Sequence, residues 1–159
     1  MRALLALGFC LLAGPVLALS CVRPDVATTY KGAAEADETY VVVLGILEFN
    51  ETLLPDFDGN NNNRPDRIIP ARIKGKSLSR AGFETSFDRN VSLVLQCLGP
   101  WCGGAETGVE YLAFLERTQP GYIMRMDPCG FWSFSEPSRS QILQAESCMA
   151  GRTCEAHPF

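Results

Sequence analysis

Several catalytic patterns are absent from this chain, and their absence excludes common classes of enzyme. Histidine occurs once, at His157, two residues from the end. No HExxH motif, nucleophile elbow or phosphate-binding loop is present, so the usual hydrolytic and phosphoryl-transfer sites have no candidate residues. No two cysteines have CxxC spacing, which disfavours a zinc site made of cysteines. The sequence therefore predicts a protein that is not an enzyme and has no cofactor or metal of its own.

Runs of lysine and arginine are absent as well. The chain has 14 basic and 18 acidic side chains, for a net charge of −4 at pH 7. A nucleic-acid-binding protein needs a concentrated positive surface, so this composition predicts no nucleic-acid partner.

A hydrophobic run long enough to span a membrane as a helix is also lacking. Arg2 followed by apolar residues 3–12, a Gly14-Pro15 break and small residues at Ala18 and Ser20 are typical of an export signal. We therefore predict a signal peptide over residues 1–20 and one mature domain over 21–159, secreted or located in the periplasm or extracellular space.

The residue that follows this cleavage point is Cys21, so a lipoprotein signal is the competing interpretation. Lipoprotein signals usually carry leucine three residues before the cut, where this chain has Ala18. Plain export is therefore favoured, and a membrane association is expected only if Cys21 is lipidated.

What the mature chain does have is an even set of cysteines. Six remain after the signal, and in an exported domain an even number predicts disulfide bonds, with fifteen possible connectivities. They are Cys21, Cys97, Cys102, Cys129, Cys148 and Cys154.

The periodicity of the chain predicts a mainly β fold. Five segments are rich in β-branched and aromatic residues or alternate between apolar and polar positions, and a short helix is expected on either side of them. The strands are expected at 39–49, 67–76, 90–97, 110–116 and 122–126, and the helices at 26–37 and from about 138 to 149. Five antiparallel strands of this size predict a disulfide-stapled Greek-key barrel of the OB-fold type, because closure removes exposed edges.

An ordered set of features resembles the netrin-like module, and in particular the inhibitory domain of tissue inhibitors of metalloproteinases. The set covers nearly all of the mature chain. It comprises a start at Cys21 followed by Val22 and Pro24, then YVVVLGILEF, a long loop and RIIPARIKG, then Cys102-Gly103 and EYLAFLE, and finally Cys129, Phe131-Trp132, SQILQ and Cys148.

The resemblance implies a mechanism in which the amine and carbonyl of the first residue chelate the zinc of a target metalloprotease. That residue would be Cys21, with Val22, Arg23 and Pro24 in contact with the protease pocket. An α-amino group has a pKa of about 7.7–8.0 and loses its proton readily on metal binding. The resemblance also implies a Cys21–Cys102 bond, and by remainder Cys97–Cys129 and Cys148–Cys154.

The chain departs from the family at its amino terminus. Arg23 stands where a second cysteine usually falls, and no cysteine lies between Cys21 and Cys97. A non-inhibitory netrin-like interaction module that holds a partner with its loops is therefore the alternative, and it would be a lipid-anchored envelope protein if Cys21 is acylated. For Cys21 alone, a purely structural disulfide is the competing interpretation. The loop from Asp56 to Asn60 carries oxygen ligands of the kind calcium prefers, but its spacing favours a solvated hairpin tip.

Overall fold

The computed structural model describes residues 20–22, 24–55 and 64–156, and the chain forms two α-helices, one short 3₁₀ helix (Glu51–Leu53) and eight strands over them. The helices are α1 (Val26–Glu35) and α2 (Arg139–Met149). The long strands are β1 (Tyr40–Phe49), β2 (Arg67–Ser79), β3 (Gly82–Leu95), β6 (Glu110–Thr118) and β7 (Gly121–Met126); the short ones are β4 (Cys97–Leu98), β5 (Trp101–Cys102) and β8 (Ser133–Ser135). The mainly β prediction is confirmed. The signal segment up to residue 19, Arg23, the loop from Asp56 to Asn60 and His157 lie outside the described residues.

The five long strands are paired in a closed ring, in the order β1, β2, β3, β7, β6 and back to β1. Strand β8 extends the sheet by pairing with β6. All pairs in the ring are antiparallel except β3 with β7, which is parallel and aligns Leu95 with Met126. The expectation of an entirely antiparallel set is therefore wrong at this one pair. The parallel pair brings the carboxyl ends of β3 and β7 to the same end of the ring.

The strand bounds differ most from the sequence prediction in β3. It begins at Gly82, eight residues before the predicted start, and forms a long hairpin with β2. Its first half alternates weakly, because exposed polar residues occupy most positions from Glu84 to Asn90. Hydrogen bonding to β2, rather than an apolar face, keeps this part of the strand extended.

Glycines allow β1 and β2 to approach closely. Gly45 pairs with Gly75 across the two strands, and a Cβ atom on either residue would press against backbone of the facing strand. No side chain fits at Gly45, because its Cβ would meet the backbone of Lys74 and Gly75 in β2.

Two apolar cores stabilise the fold. The larger fills the interior of the ring and includes the fully buried side chains of Val43, Leu47, Ile69, Ile73, Leu93, Leu115 and Met124. The second joins the outside of β1 and β6 to the two helices, and includes Val26, Val42, Leu112, Phe114, Phe134 and Ala145. Both helices therefore cover one side of the ring, and much of the outer face of β2 and β3 is exposed.

Caps fix the first turns of both helices. Asp25 accepts hydrogen bonds from the amides of Ala27 and Thr28, and Ser138 forms a capping box with Gln141. The Asp25 cap fixes the start of α1 directly after the amino-terminal segment. No helix among the described residues is long and apolar enough to cross a membrane.

Candidate functional site

The amino-terminal segment is fixed to the ring by a disulfide bond from Cys21 to Cys129, with the two Cα atoms 5.4 Å apart. Cys129 lies in the turn that follows β7. The expected bonds Cys21–Cys102 and Cys97–Cys129 are therefore wrong. Cys97 and Cys102 instead face each other across the β4–β5 hairpin, with Cα atoms 4.0 Å apart, and are bonded together.

The third expected bond, Cys148–Cys154, is confirmed. It joins the last turn of α2 to the chain just beyond it. The local hairpin explains why the other two differ from the expectation: its strands bring Cys97 and Cys102 directly opposite one another, which leaves Cys129 for Cys21.

The turn that carries Cys129 is ordered by the carboxylate of Asp127. One oxygen accepts a hydrogen bond of 2.9 Å from the amide of Cys129, and the other accepts one of 2.7 Å from the amide of Phe131. The Gly130 amide donates to the Asp127 carbonyl at 3.1 Å, and Gly130 has a φ of 71°. The left-handed conformation favours glycine. The anchor point of the amino terminus is therefore held by the turn's own hydrogen bonds as well as by the disulfide.

The chain contacts the same turn a second time at Pro24. Pro24 is half-buried, and its ring lies 3.8 Å from the position that a Cβ on Gly130 would occupy. Asp25 then starts α1, and the buried hydroxyl of Thr29 donates a hydrogen bond of 2.8 Å to the carbonyl of Phe131. The same turn thus contacts the chain on both sides of Val22, at Cys21 and at Pro24.

Between these attachments, Val22 projects into solvent. Its exposed fraction is 81%, the highest of the large apolar residues that the structure describes as exposed. Of the predicted pocket contacts, Val22 is therefore accessible to a partner, while Pro24 packs against its own chain. Arg23, the third, lies outside the described residues. We call residues 20–22 the amino-terminal tip.

The β4–β5 hairpin lies beside the turn that anchors the tip. The amide of Gln96 donates to the Met126 carbonyl at 2.9 Å, and the amide of Gly103 donates to the Gln96 carbonyl at 2.8 Å. A side chain at Gly103 has no room, because its Cβ would overlap the Met126 carbonyl. Leu98, at the hairpin, is 58% exposed. Leu98 lies on the hairpin after β3, and Val22 lies on the segment bonded to the turn after β7, so both exposed apolar side chains belong to the same end of the ring.

Sequence reasoning missed this hairpin as a structured element, although Cys97 and Cys102 bracket a Gly-Pro pair that is typical of a tight turn. The role of Asp127 in ordering its turn was missed too. Its sequence signal is weaker, because it consists only of an aspartate followed by Pro128 and Gly130. Trp132 stacks flat on Tyr40, with ring centroids 4.8 Å apart. Trp132 is therefore a packing residue of the fold.

The described residues contain no group of three or more His, Cys, Asp or Glu side chains arranged to hold a metal ion. Each of the six cysteines is bonded to another cysteine. The tip can therefore offer a partner its backbone groups and the apolar side chain of Val22, but no thiolate. No protein-family model, curated protein or solved structure matches this chain.

Proposed function

We propose that the mature chain begins at Cys21, is exported, and inhibits a zinc metalloprotease through its amino-terminal tip. The α-amine and carbonyl of Cys21 chelate the protease zinc and displace its water, and Val22 enters the adjacent pocket. The observation that carries this proposal is the 81% exposure of Val22 directly beside a disulfide-bonded Cys21.

Rigidity of the tip supports the proposal. A bidentate ligand binds metal well only if its two donor atoms are held in place before binding, because ordering a flexible terminus costs free energy. Cys21 is bonded to a turn that Asp127 orders, and Pro24 packs on Gly130 of that same turn. The segment that would enter the protease is therefore short and fixed at both ends.

The chemistry of the donors also supports it. The Cys21 sulfur is bonded to Cys129, so the amine and carbonyl are the groups of that residue left to bind zinc. A neutral amine is a good zinc ligand, and an α-amino group, with a pKa of about 7.7–8.0, loses its proton readily on metal binding. Val22 is small and stiff at χ1, which suits a shallow apolar pocket.

The test is a one-residue extension. The mature protein beginning at Cys21 is compared with a variant carrying one additional alanine before it, against a panel of zinc endopeptidases with the HExxH motif. The extension converts the amine to an amide, which is a poor zinc ligand, so inhibition should fall by about 100-fold or more. Equal urea denaturation midpoints for the two proteins serve as the control. Undiminished inhibition by the extended protein would exclude chelation.

A second function is favoured by one specific observation. Cys21 is bonded to Cys129, whereas the family resemblance implies Cys102, so the tip differs from an inhibitor tip in its attachment. In this second hypothesis, the chain is a non-inhibitory interaction module that binds a partner through the tip and the β4–β5 hairpin. Its binding would survive the alanine extension and would be lost on substitution of Leu98 and Val22 by aspartate.

Lipidation of the tip and the Cys21–Cys129 bond are mutually exclusive, because a thioether to diacylglycerol uses the same sulfur atom. Intact-mass measurement of the exported protein under non-reducing conditions separates them. The disulfide-bonded form has the mass of residues 21–159 less six hydrogens, since three bonds form. A lipidated form is heavier by the acyl groups and leaves Cys129 reactive to a thiol reagent.

A further inference from the structure

Strand β3 has a long unpaired edge. On one side, β2 pairs with it from Gly82 to Leu95. On the other side, β7 pairs with it only from Ser92 to Leu95. Over residues 83–91, no strand among the described residues occupies this second side.

The direction of the backbone groups along this edge follows from the neighbouring contacts. The amide of Gln96 donates a hydrogen bond to the Met126 carbonyl on the β7 side. The carbonyl of Thr85 accepts one of 3.5 Å from the hydroxyl of Ser77 on the β2 side. Successive residues of a strand present their backbone groups to alternate sides. Even-numbered residues therefore present their amide and carbonyl groups at the open edge.

The open-edge groups are those of Ser86, Asp88 and Asn90. The Asp88 carbonyl accepts a hydrogen bond of 2.7 Å from the guanidinium of its own neighbour Arg89, which confirms that it points away from β2. All three side chains lie on the outer face, and those of Ser86 and Asn90 are exposed. Exposed edges of this kind are templates for another strand unless charge or proline blocks them.

We propose that this edge pairs with the same edge of a second copy of the chain, in an antiparallel two-fold arrangement centred on Phe87. A two-fold axis normal to the sheet places each residue opposite a residue of equal parity. Centred on Phe87, Ser86 faces Asp88 of the second copy, and the two exchange backbone hydrogen bonds. Farther along the edge, Thr85 faces Arg89, and Glu84 faces Asn90.

The charges of the edge select this register. The pairs that it forms join hydroxyl with carboxylate, hydroxyl with guanidinium and carboxylate with amide, and no like charges are opposed. A shift centred on Ser86 places Glu84 opposite Asp88 twice, and a shift centred on Asp88 opposes the two Asp88 carboxylates. Like charges directly opposite each other destabilise a strand pair.

The surroundings of the edge leave room for the second strand. Residues 83–91 contain neither proline nor lysine, and their one arginine, Arg89, is bonded to the Asp88 carbonyl, whose second lone pair is left for an amide of the second copy. Phe87 packs inward against Tyr122, with ring centroids 5.2 Å apart, so it does not obstruct the edge.

The test compares the association of three proteins by sedimentation equilibrium from micromolar to near-millimolar concentration. The unchanged protein should form a dimer. Ser86→Glu places a carboxylate opposite Asp88 of the second copy, and we expect its dissociation constant to rise about tenfold or more. Ser92→Glu is the matched control: it is the same change on the same face of the same strand, at a position that β7 already covers. It should leave the dissociation constant unchanged.

Amide hydrogen exchange gives a second, independent measurement. Protection of the Ser86 and Asp88 amides should rise with protein concentration in the unchanged protein and in Ser92→Glu, but not in Ser86→Glu. A protein that stays monomeric throughout, or a dimer insensitive to Ser86→Glu, overturns the proposal. The edge would then be open to a strand from a different protein. None of these outcomes depends on the function of the tip.

Discussion

Cys21 and Cys129 are 108 residues apart in the sequence, yet their Cα atoms lie 5.4 Å apart and a disulfide joins them. This one bond connects the start of the described chain to the turn after β7. The contact at Pro24 and the cap of α1 lie close behind it, so the geometry of the tip depends on a small set of neighbouring interactions. Removing these interactions one at a time measures what each contributes to the stability of the protein.

Replacing Cys21 and Cys129 together by serine should destabilise the protein more than the same replacement of Cys148 and Cys154. A disulfide restricts the unfolded chain more strongly when it closes a longer loop, and the two separations are 108 and 6 residues. The loop-entropy relation gives about 5 kcal/mol for the first bond and about 2 kcal/mol for the second. Urea denaturation of the two double variants measures the difference, and equal losses would contradict the loop-length argument.

Asp127→Ala should loosen the anchoring turn. It removes both acceptors of the Cys129 and Phe131 amides, and hydrogen bonds to a charged group contribute about 1.5–3 kcal/mol. We expect a loss of about 2 kcal/mol in the free energy of unfolding, with faster amide exchange at Cys129 and Phe131.

Asp127→Asn provides the intermediate case. It keeps one acceptor oxygen but places an amide NH2 group where the second oxygen stood, so its loss should fall between the alanine variant and the unchanged protein. If the asparagine variant were as unstable as the alanine variant, two separate acceptors would not explain the order of the turn.

Gly103→Ala should disrupt the contact between the β4–β5 hairpin and the end of β7. The added methyl group would overlap the Met126 carbonyl, so backbone must move, and we expect a loss of about 2 kcal/mol or more. Gly104→Ala is its matched control, one residue away, with no atom within 4 Å of the added carbon. Thermal denaturation should show no loss for the control, and similar losses in both variants would contradict the packing explanation.

The Asp88 carboxyl should titrate below its ordinary pKa of 3.8, because Arg72 donates hydrogen bonds of 2.6 and 2.8 Å to it and adds a positive charge. A lowered pKa in the folded state means that the stabilising contribution is present above the ordinary pKa. It is lost as the pH falls through the lowered value.

An NMR titration of the Asp88 carboxyl carbon measures this shift. Arg72→Gln should return the pKa toward its ordinary value. Arg89→Gln should change it less, since Arg89 bonds the Asp88 backbone carbonyl and its effect on the carboxyl is the smallest of those acting. A larger change in the Arg89 variant would show that Arg89, and not Arg72, causes most of the lowering of the Asp88 pKa.

The five principal strands and both helices could be predicted from the sequence because each has a local signal. In β1, β-branched and aromatic residues are concentrated, and Ser138 with Gln141 forms the capping pattern that begins α2. The first half of β3 could not be predicted, because its polar residues face solvent and its pairing with β2 is a long-range effect.

The candidate site was predictable only in part. Val22 is exposed, its role as a pocket contact stays a prediction, and the partner of Cys21 was not predictable from spacing. That partner depends on which strand ends meet in space, and the parallel pairing of β3 with β7 decides this. The Asp127 turn carries too little local signal to be distinguished from an ordinary loop.

The shared direction of β3 and β7 also bears on where the chain can be altered. Both strands release their following loops at one rim, and the interstrand ladder ends before either loop begins. Residues inserted in those loops therefore leave the strand pairing below them intact, which makes this rim the natural place to graft binding loops by design.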